Sequence, residues 1–112
     1  MKRGEIWWAD LPDPIASEPG YRRPLVIIQI DDFSRSRINT VVVIVLTSNL
    51  CLAEAPGNVL LKSLQTGLQK DSVANVSQVI TVDKLFLTEK AGKLRKSDIQ
   101  KIESGLRLVL GL

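Results

Sequence analysis

Two apolar runs constrain the fold of this chain more than any other feature of its sequence. Residues 25–30 read Leu-Val-Ile-Ile-Gln-Ile, and residues 40–46 add a second run that is unbroken from Val41 onward. β-Branched residues favour strands, and a strand that does not alternate polar with apolar residues is covered on both faces. The sequence therefore predicts two central, buried strands.

Shorter segments flank these strands. Residues 4–11 are rich in aromatic and β-branched residues and predict a first strand, which ends at Pro12. The same criteria predict strands at 59–61 and 72–82, loops at 15–23, 31–39 and 64–71, and irregular or helical turns at 50–56 and 83–88.

The clearest helix begins near Lys96. Ser97 is the expected N-cap, with Gln100 placed as in a capping box, and Gly111 ends the helix. An apolar stripe at helical spacing is expected to face the core. The stripe consists of Ile99, Ile102, Leu106, Val109 and Leu110. Short strands followed by one helix predict a mainly β fold, a curled antiparallel sheet or barrel, in a single domain over residues 1–112.

Charge is distributed unevenly along the chain. The 112 residues carry a formal net charge of +3, and the first third holds six basic residues and four aromatic ones. Basic groups among aromatic rings are typical of a surface for single-stranded nucleic acid. For Trp7 and Trp8 alone, we favour the simpler interpretation that they alternate across a strand, with one ring in the core.

The absence of histidine excludes most acid–base pairs, catalytic triads and zinc sites. The one cysteine, Cys51, rules out an intramolecular disulfide and suits a reducing cytoplasm. The adjacent acids Asp31 and Asp32 are better interpreted as a turn cap than as a metal site. The longest apolar run is too short to cross a bilayer, and no signal peptide is recognisable.

The polar residues that remain are compatible with one metal-free reaction. They are Glu18, Tyr21, Arg22, Arg23, Thr47, Ser48, Asn49 and Gln78. Attack of a ribose 2′-OH on its own phosphodiester needs a proton acceptor, positive charge at the phosphate and a proton for the leaving oxygen. Glu18, an arginine fork and the Thr47 hydroxyl could supply these. A loop of solvated charges beside a capping threonine is equally compatible with the residues alone.

An ordered set of short motifs then resembles a known family. The motifs are Arg3-Gly4-Glu5-Ile6-Trp7, Asp10-Leu11-Pro12, Ser17-Glu18, Arg23-Pro24-Leu25-Val26-Ile27, Leu46-Thr47-Ser48, Gly67-Leu68, Asp71-Ser72, Gln78-Val79 and Thr81-Val82-Asp83-Lys84. Together with the terminal helix, they resemble the MazF/PemK toxins of bacterial toxin–antitoxin systems across essentially the whole chain.

The resemblance implies an SH3-like β-barrel, a homodimer and a cytoplasmic protein without a cofactor or metal. It implies a sequence-specific endoribonuclease that cuts single-stranded RNA, leaves a 2′,3′-cyclic phosphate and a 5′-hydroxyl, and is neutralised by a MazE-like antitoxin with an acidic tail. The family's catalytic arginine and threonine correspond to Arg23 and Thr47, and its loop acid corresponds to Glu18. Ala16 departs from a glycine that many relatives have.

A wider set of residues is expected to bind the RNA. It consists of Ser17, Tyr21, Arg22, Ser48, Asn49, Gln78, Arg35 and Arg37. Arg22 is expected to affect RNA affinity and its salt dependence more than the chemical step. Two alternatives stay open. A gyrase-directed toxin of the CcdB type would work through a C-terminal Trp, which this chain lacks, and an inactive RNA-binding homologue would not be expected to retain Glu18, Arg23 and Thr47.

Overall fold

The computed structural model describes residues 1–12 and 21–112. The described strands are β1 (Glu5–Leu11), β2 (Tyr21–Ile27), β3 (Thr40–Thr47), β4 (Val59–Leu61), β5 (Ser72–Asp83) and β6 (Leu87–Lys93). The α-helices are α1 (Asp31–Ser34), α2 (Ser63–Thr66) and α3 (Lys96–Leu110), and 3₁₀ turns cover Leu50–Glu54 and Lys84–Phe86. The six strands form one antiparallel sheet in the order β4-β5-β3-β2-β1-β6.

Strands β2 and β3 lie at the centre of this sheet and bury side chains on both faces, as predicted. One face contributes Val26, Ile44 and Leu46 to an apolar cluster that also includes Ile102 of α3. The other face contributes residues such as Leu25 to a second cluster. The prediction of a mainly β fold with a C-terminal helix is confirmed.

The start of β2 differs from the prediction. The apolar pattern placed the strand at residues 25–30, but pairing with β1 extends back to Tyr21, opposite Leu11. Residues 21–23 therefore belong to the strand, although their polar side chains hide it from a hydropathy pattern. At the other end, the N–H groups of Ile28 and Gln29 both donate to the carbonyl of Val42, and the regular ladder stops.

Strand β6 was missed because its sequence, Leu-Thr-Glu-Lys-Ala-Gly-Lys, is mostly polar. It lies at an edge of the sheet and pairs only with β1, with two shifts of register. An edge strand needs few apolar side chains, and charged residues there discourage pairing with other chains. Its main-chain pairing with β1 consequently has no clear hydropathy signal.

Helix α3 was predicted in place, but its cap and part of its stripe were wrong. Arg95 occupies the N-cap position without a side-chain cap, and Ser97 lies inside the helix. Ile102 is buried, whereas Val109 and Leu110 are exposed. Asp98 is buried near the start of α3, where it accepts a hydrogen bond of 2.8 Å from Gln65 Nε2 of α2.

The short helix α2 brings the two edge strands towards each other. It follows β4 in the chain, and Gly67 at its end has a φ of +79° and lies against β6. A Cβ at Gly67 would lie 2.1 Å from the carbonyl oxygen of Ala91. This backbone contact curls the sheet into a partly closed barrel. No helix of the described residues is long and apolar enough to span a membrane.

Candidate active-site groove

A groove of about 830 Å³ opens where β2 begins and β3 ends. Its other wall is formed by β6 and by the segment that follows α2. The lining residues are Trp8, Tyr21, Arg22, Arg23, Pro24, Leu46, Ser48, Gly67, Leu68, Gln69, Lys70, Ser72, Glu89, Lys90 and Ala91. Four of these residues are basic and one is acidic, so the groove is suited to an anionic ligand.

Arg23 and Thr47 belong to neighbouring strands at this opening. The ladder between β2 and β3 ends with Leu25 opposite Val45, two residues from Arg23 on β2 and from Thr47 on β3. Arg23 lines the groove, whereas Thr47 lies between the lining residues Leu46 and Ser48 and is not part of the lining itself. Both residues are half-buried. The Thr47 hydroxyl oxygen accepts a hydrogen bond of 3.1 Å from the N–H of Asn49, which leaves its proton available for another acceptor. The arrangement can present a guanidinium and a hydroxyl to one phosphate.

Glu18 and Ser17, as well as Ala16, lie outside the described residues. The assignment of Glu18 as the proton acceptor stays a prediction.

Arg22 has more partners than the sequence suggested. Its guanidinium donates to Thr88 Oγ1 at 2.9 Å, to Glu89 Oε2 at 3.2 Å and to Asp10 Oδ1 at 3.4 Å. Its Cζ also lies 4.9 Å from the centroid of the Trp8 ring. Two carboxylates therefore lie close to its one positive charge. The expectation that Arg22 affects RNA affinity and its salt dependence more than the chemical step stays a prediction.

Tyr21 lies at the end of the groove with 63% of its surface exposed. It is the one described non-glycine residue with a positive φ, at 61°. This conformation costs roughly 1–2 kcal/mol for a residue with a Cβ, and such strain tends to occur at functional sites. The strained backbone supports the prediction that Tyr21 takes part in binding.

The remaining predicted RNA-binding residues divide into two groups. Ser48 lines the groove, but Asn49, Gln78, Arg35 and Arg37 do not. Asn49 caps the 3₁₀ turn that follows it, and Gln78 accepts a hydrogen bond from Asn75 at a register shift between β3 and β5. Arg35 forms an ion pair with Asp32, next to α1. Spacing along the chain did not reveal these local roles.

Two lysines of the groove were missed. Lys90 lies on β6, which the hydropathy pattern did not reveal, and Lys70 follows Gly67 in the segment that touches that strand. The only signal for Lys70 was its position after the Gly67-Leu68 motif. Both lysines add positive charge opposite Arg23.

A buried acid holds one of these lysines. Glu5 is 6% exposed and receives hydrogen bonds from the Lys2 N–H at 2.9 Å and the Trp7 indole N–H at 3.0 Å. Lys90 Nζ lies 3.1 Å from its other oxygen. Burial raises the pKa of Glu5, but these hydrogen bonds and the charge of Lys90 outweigh it and lower the pKa from 4.5 to about 2. Glu5 is therefore ionised at neutral pH.

The adjacent acids Asp31 and Asp32 have structural partners. Asp31 Oδ1 accepts a hydrogen bond of 2.8 Å from the Arg3 N–H, and Asp32 pairs with Arg35. Within residues 1–12 and 21–112, no group of three or more Cys, Asp or Glu residues is arranged to hold a metal ion.

Fold and groove together define a small β-barrel toxin of the kind that the motifs suggested. The sequence matches the family described as "PemK-like, MazF-like toxin of type II toxin-antitoxin system" over residues 2–110. The chain belongs to this family, and the resemblance drawn from its motifs is confirmed.

Named relatives agree with this assignment. Endoribonuclease MazF6 of Mycobacterium tuberculosis is 45% identical over 112 residues, which cover 100% of this chain and 98% of the relative. Endoribonuclease EndoA of Bacillus subtilis is 32% identical, with 100% and 96% covered.

Solved structures resemble the fold across the whole chain. A mycobacterial endoribonuclease in complex with its cognate antitoxin has a TM-score of 0.81 at 22% identity, with 100% of this chain and 96% of that chain covered. MazF from Deinococcus radiodurans has a TM-score of 0.82 at 17% identity, with 100% and 97% covered.

Proposed function

We propose that this chain is a sequence-specific endoribonuclease toxin that cuts single-stranded RNA without a metal ion. The observation that carries the proposal is a basic groove lined by Arg23, with Thr47 placed between the lining residues Leu46 and Ser48. Family membership and endoribonuclease relatives at 45% and 32% identity support the activity. They also favour it over the gyrase-directed alternative.

The chemistry follows from the groups available. The ribose 2′-oxygen attacks the adjacent phosphorus while its proton passes to Glu18, and the bond from phosphorus to the 5′-oxygen breaks. Arg23 stabilises the charge that builds on the phosphate oxygens, because its forked N–H groups match them. Arg23 does not act as a free base, since a guanidinium stays protonated. The Thr47 hydroxyl donates a further hydrogen bond.

The products are a 2′,3′-cyclic phosphate and a 5′-hydroxyl, and the leaving oxygen receives a proton from solvent or from a groove donor. The reaction needs no side chain as a nucleophile. Its proton acceptor and hydrogen-bond donors are assigned to Glu18, Arg23 and Thr47, so a chain without histidine can carry it out.

Regulation is proposed to come from a second protein. A mycobacterial relative was solved with its cognate antitoxin, and we infer that a MazE-like antitoxin also neutralises this chain. Arg23, Lys70 and Lys90 line the groove and favour an acidic segment of the partner there. The active form is proposed to be a homodimer that acts in the cytoplasm.

Cleavage of mixed RNA in excess EDTA tests the activity. We expect wild-type protein to cut RNA, and the ends to carry a cyclic phosphate and a 5′-hydroxyl. Arg23→Ala and Thr47→Val should each lower the cleavage rate by about 10²–10³-fold, as loss of a transition-state hydrogen-bond donor does.

Arg37→Ala is the matched control, because Arg37 is exposed and lies outside the groove lining. It should keep the wild-type rate, and circular dichroism should show all variants folded. Cleavage that requires added magnesium would contradict the mechanism. RNA binding without cleavage under any condition would favour the inactive homologue instead.

A further inference from the structure

Arg22 presents an unusual surface to the groove. A guanidinium has a planar face and an in-plane edge of N–H donors, and phosphates are bound by the edge. Here three of the five N–H groups are already engaged, in contacts to Asp10, Thr88 and Glu89 from both terminal nitrogens. The face that Trp8 does not cover is the broad surface left for a ligand.

The charges around Arg22 also disfavour a phosphate. A phosphate that approached the guanidinium would meet the carboxylates of Asp10 and Glu89, which lie within 3.4 Å of it. Two negative charges against one positive charge repel an anion at short range. An uncharged ligand does not meet this repulsion.

One face of the guanidinium is supported. Trp8 lies against it at 4.9 Å, and Trp8 itself packs on the apolar cluster that includes Val26 and Leu46. The Arg22 side chain remains 47% exposed. The Trp8 ring is held on the core, and the planar guanidinium of Arg22 covers it. Together they form a flat platform at the groove wall.

We propose that Arg22 binds an unpaired nucleobase of the RNA by stacking, with Trp8 supporting it and Thr88, Glu89 and Asp10 fixing its plane. This inference rests on the proposed function, since it assumes that single-stranded RNA occupies the groove. Bases stack on arginine planes as well as on aromatic rings in single-stranded RNA complexes. Arg22 thereby contributes to RNA affinity at one nucleotide position, and Arg23 contributes to the chemistry.

Binding of RNA that lacks one base at a time tests the proposal. The probe is an oligoribonucleotide of the cleaved sequence with 2′-deoxyribose at the scissile nucleotide, which removes the attacking hydroxyl. At one position, an abasic substitution should weaken binding to the wild type by about 10–100-fold, the range for one stacked base. Arg22→Ala should bind the intact probe weakly and be insensitive to the abasic substitution at that position.

Arg22→Lys separates stacking from charge. Lysine keeps the positive charge and loses the planar face, so it should behave like Arg22→Ala. The slope of affinity against salt should stay close to wild type in both variants. Lys96→Ala, a change of an exposed cation of α3 outside the groove lining, should keep the wild-type abasic profile.

Three results would overturn the proposal. They are near wild-type binding by Arg22→Lys, an unchanged abasic profile in Arg22→Ala, or a salt slope that falls by about one unit in Arg22→Ala, as for a lost phosphate contact. If the wild type cleaves RNA but one of these is found, only the stacking role fails. If the wild type neither cleaves RNA nor binds the probe, the proposed function fails as well.

Discussion

Two clusters of charged residues link β1 and β2 to β6, and they differ in burial. In one, Glu5 is almost fully buried and accepts hydrogen bonds from Lys2 and Trp7 while pairing with Lys90. In the other, Arg22 is half exposed and pairs with Glu89.

The difference shows how burial assigns different tasks to similar ion pairs. An acid without access to water depends on its protein partners, so losing them costs several kcal/mol. An exposed pair exchanges its partners with water at little cost, typically below about 1 kcal/mol. The buried cluster therefore stabilises the fold beneath the groove, and the exposed cluster shapes the surface that a ligand meets.

Removing the buried charge should give the largest effect on stability. Glu5→Gln leaves the donors of Lys2, Trp7 and Lys90 facing an amide, and should lower the free energy of unfolding by about 3–4 kcal/mol. Urea denaturation measures it. Glu89→Gln is the matched change in the exposed cluster and should cost less than about 0.5 kcal/mol. Equal losses of unfolding free energy in Glu5→Gln and Glu89→Gln would show that burial does not distinguish the two clusters.

Low pH should remove the stability that the ionised Glu5 side chain contributes. Folding lowers the pKa of Glu5 from 4.5 to about 2, so the unfolded chain binds the proton more readily. The stability from Glu5, about 3 kcal/mol at most, is complete above about pH 5 and is lost as the pH falls towards 2. The difference between wild type and Glu5→Gln should shrink over this range. A difference that stays constant would show that the Glu5 charge is not responsible.

Replacing Tyr21 by glycine or asparagine should give a small effect on stability, in the opposite direction to Glu5→Gln. The positive φ of Tyr21 suits glycine or asparagine, so Tyr21→Gly and Tyr21→Asn should leave stability unchanged or raise it by up to about 1 kcal/mol. Tyr21→Val should lower it by about 1–2 kcal/mol, because a β-branched residue fits this conformation worst. Thermal unfolding of the three variants compares them. A stable valine variant would mean that the backbone is not strained there.

The parts of the fold that could be predicted are those in which a side-chain pattern reports burial. Strands β3 and β5 are rich in apolar residues because they lie inside the sheet. Helix α3 has an apolar stripe at helical spacing that faces the core as far as Leu106. Strand β6 could not be predicted from hydropathy, because an edge strand is held mainly by its main chain. The short helix α2 is similar, since four residues are too few for a periodicity to appear.

The site was predictable to a different extent for each arginine. The motif Arg23-Pro24 directly precedes the apolar run of β2, and Arg23 lines the groove together with Leu46 and Ser48 from the end of β3. Arg22 was assigned to charge alone, because its partners Thr88 and Glu89 lie 66 and 67 positions away in sequence. Such a contact exists only once the sheet is assembled. The four expected binding residues outside the groove lining, Asn49, Gln78, Arg35 and Arg37, stay predictions.

The pairing of β1 with β6 has a consequence for the order in which the molecule is made. It joins the first strand of the chain to the last, with Glu5 opposite Lys93. Contacts so far apart in sequence form late in folding, because a long loop must close first. During synthesis, β1 to β5 emerge from the ribosome before the strand that carries Glu89 and Lys90. The groove therefore lacks one wall until β6 has been synthesised, and a protein that attacks RNA is incomplete while the preceding part of its own message is read.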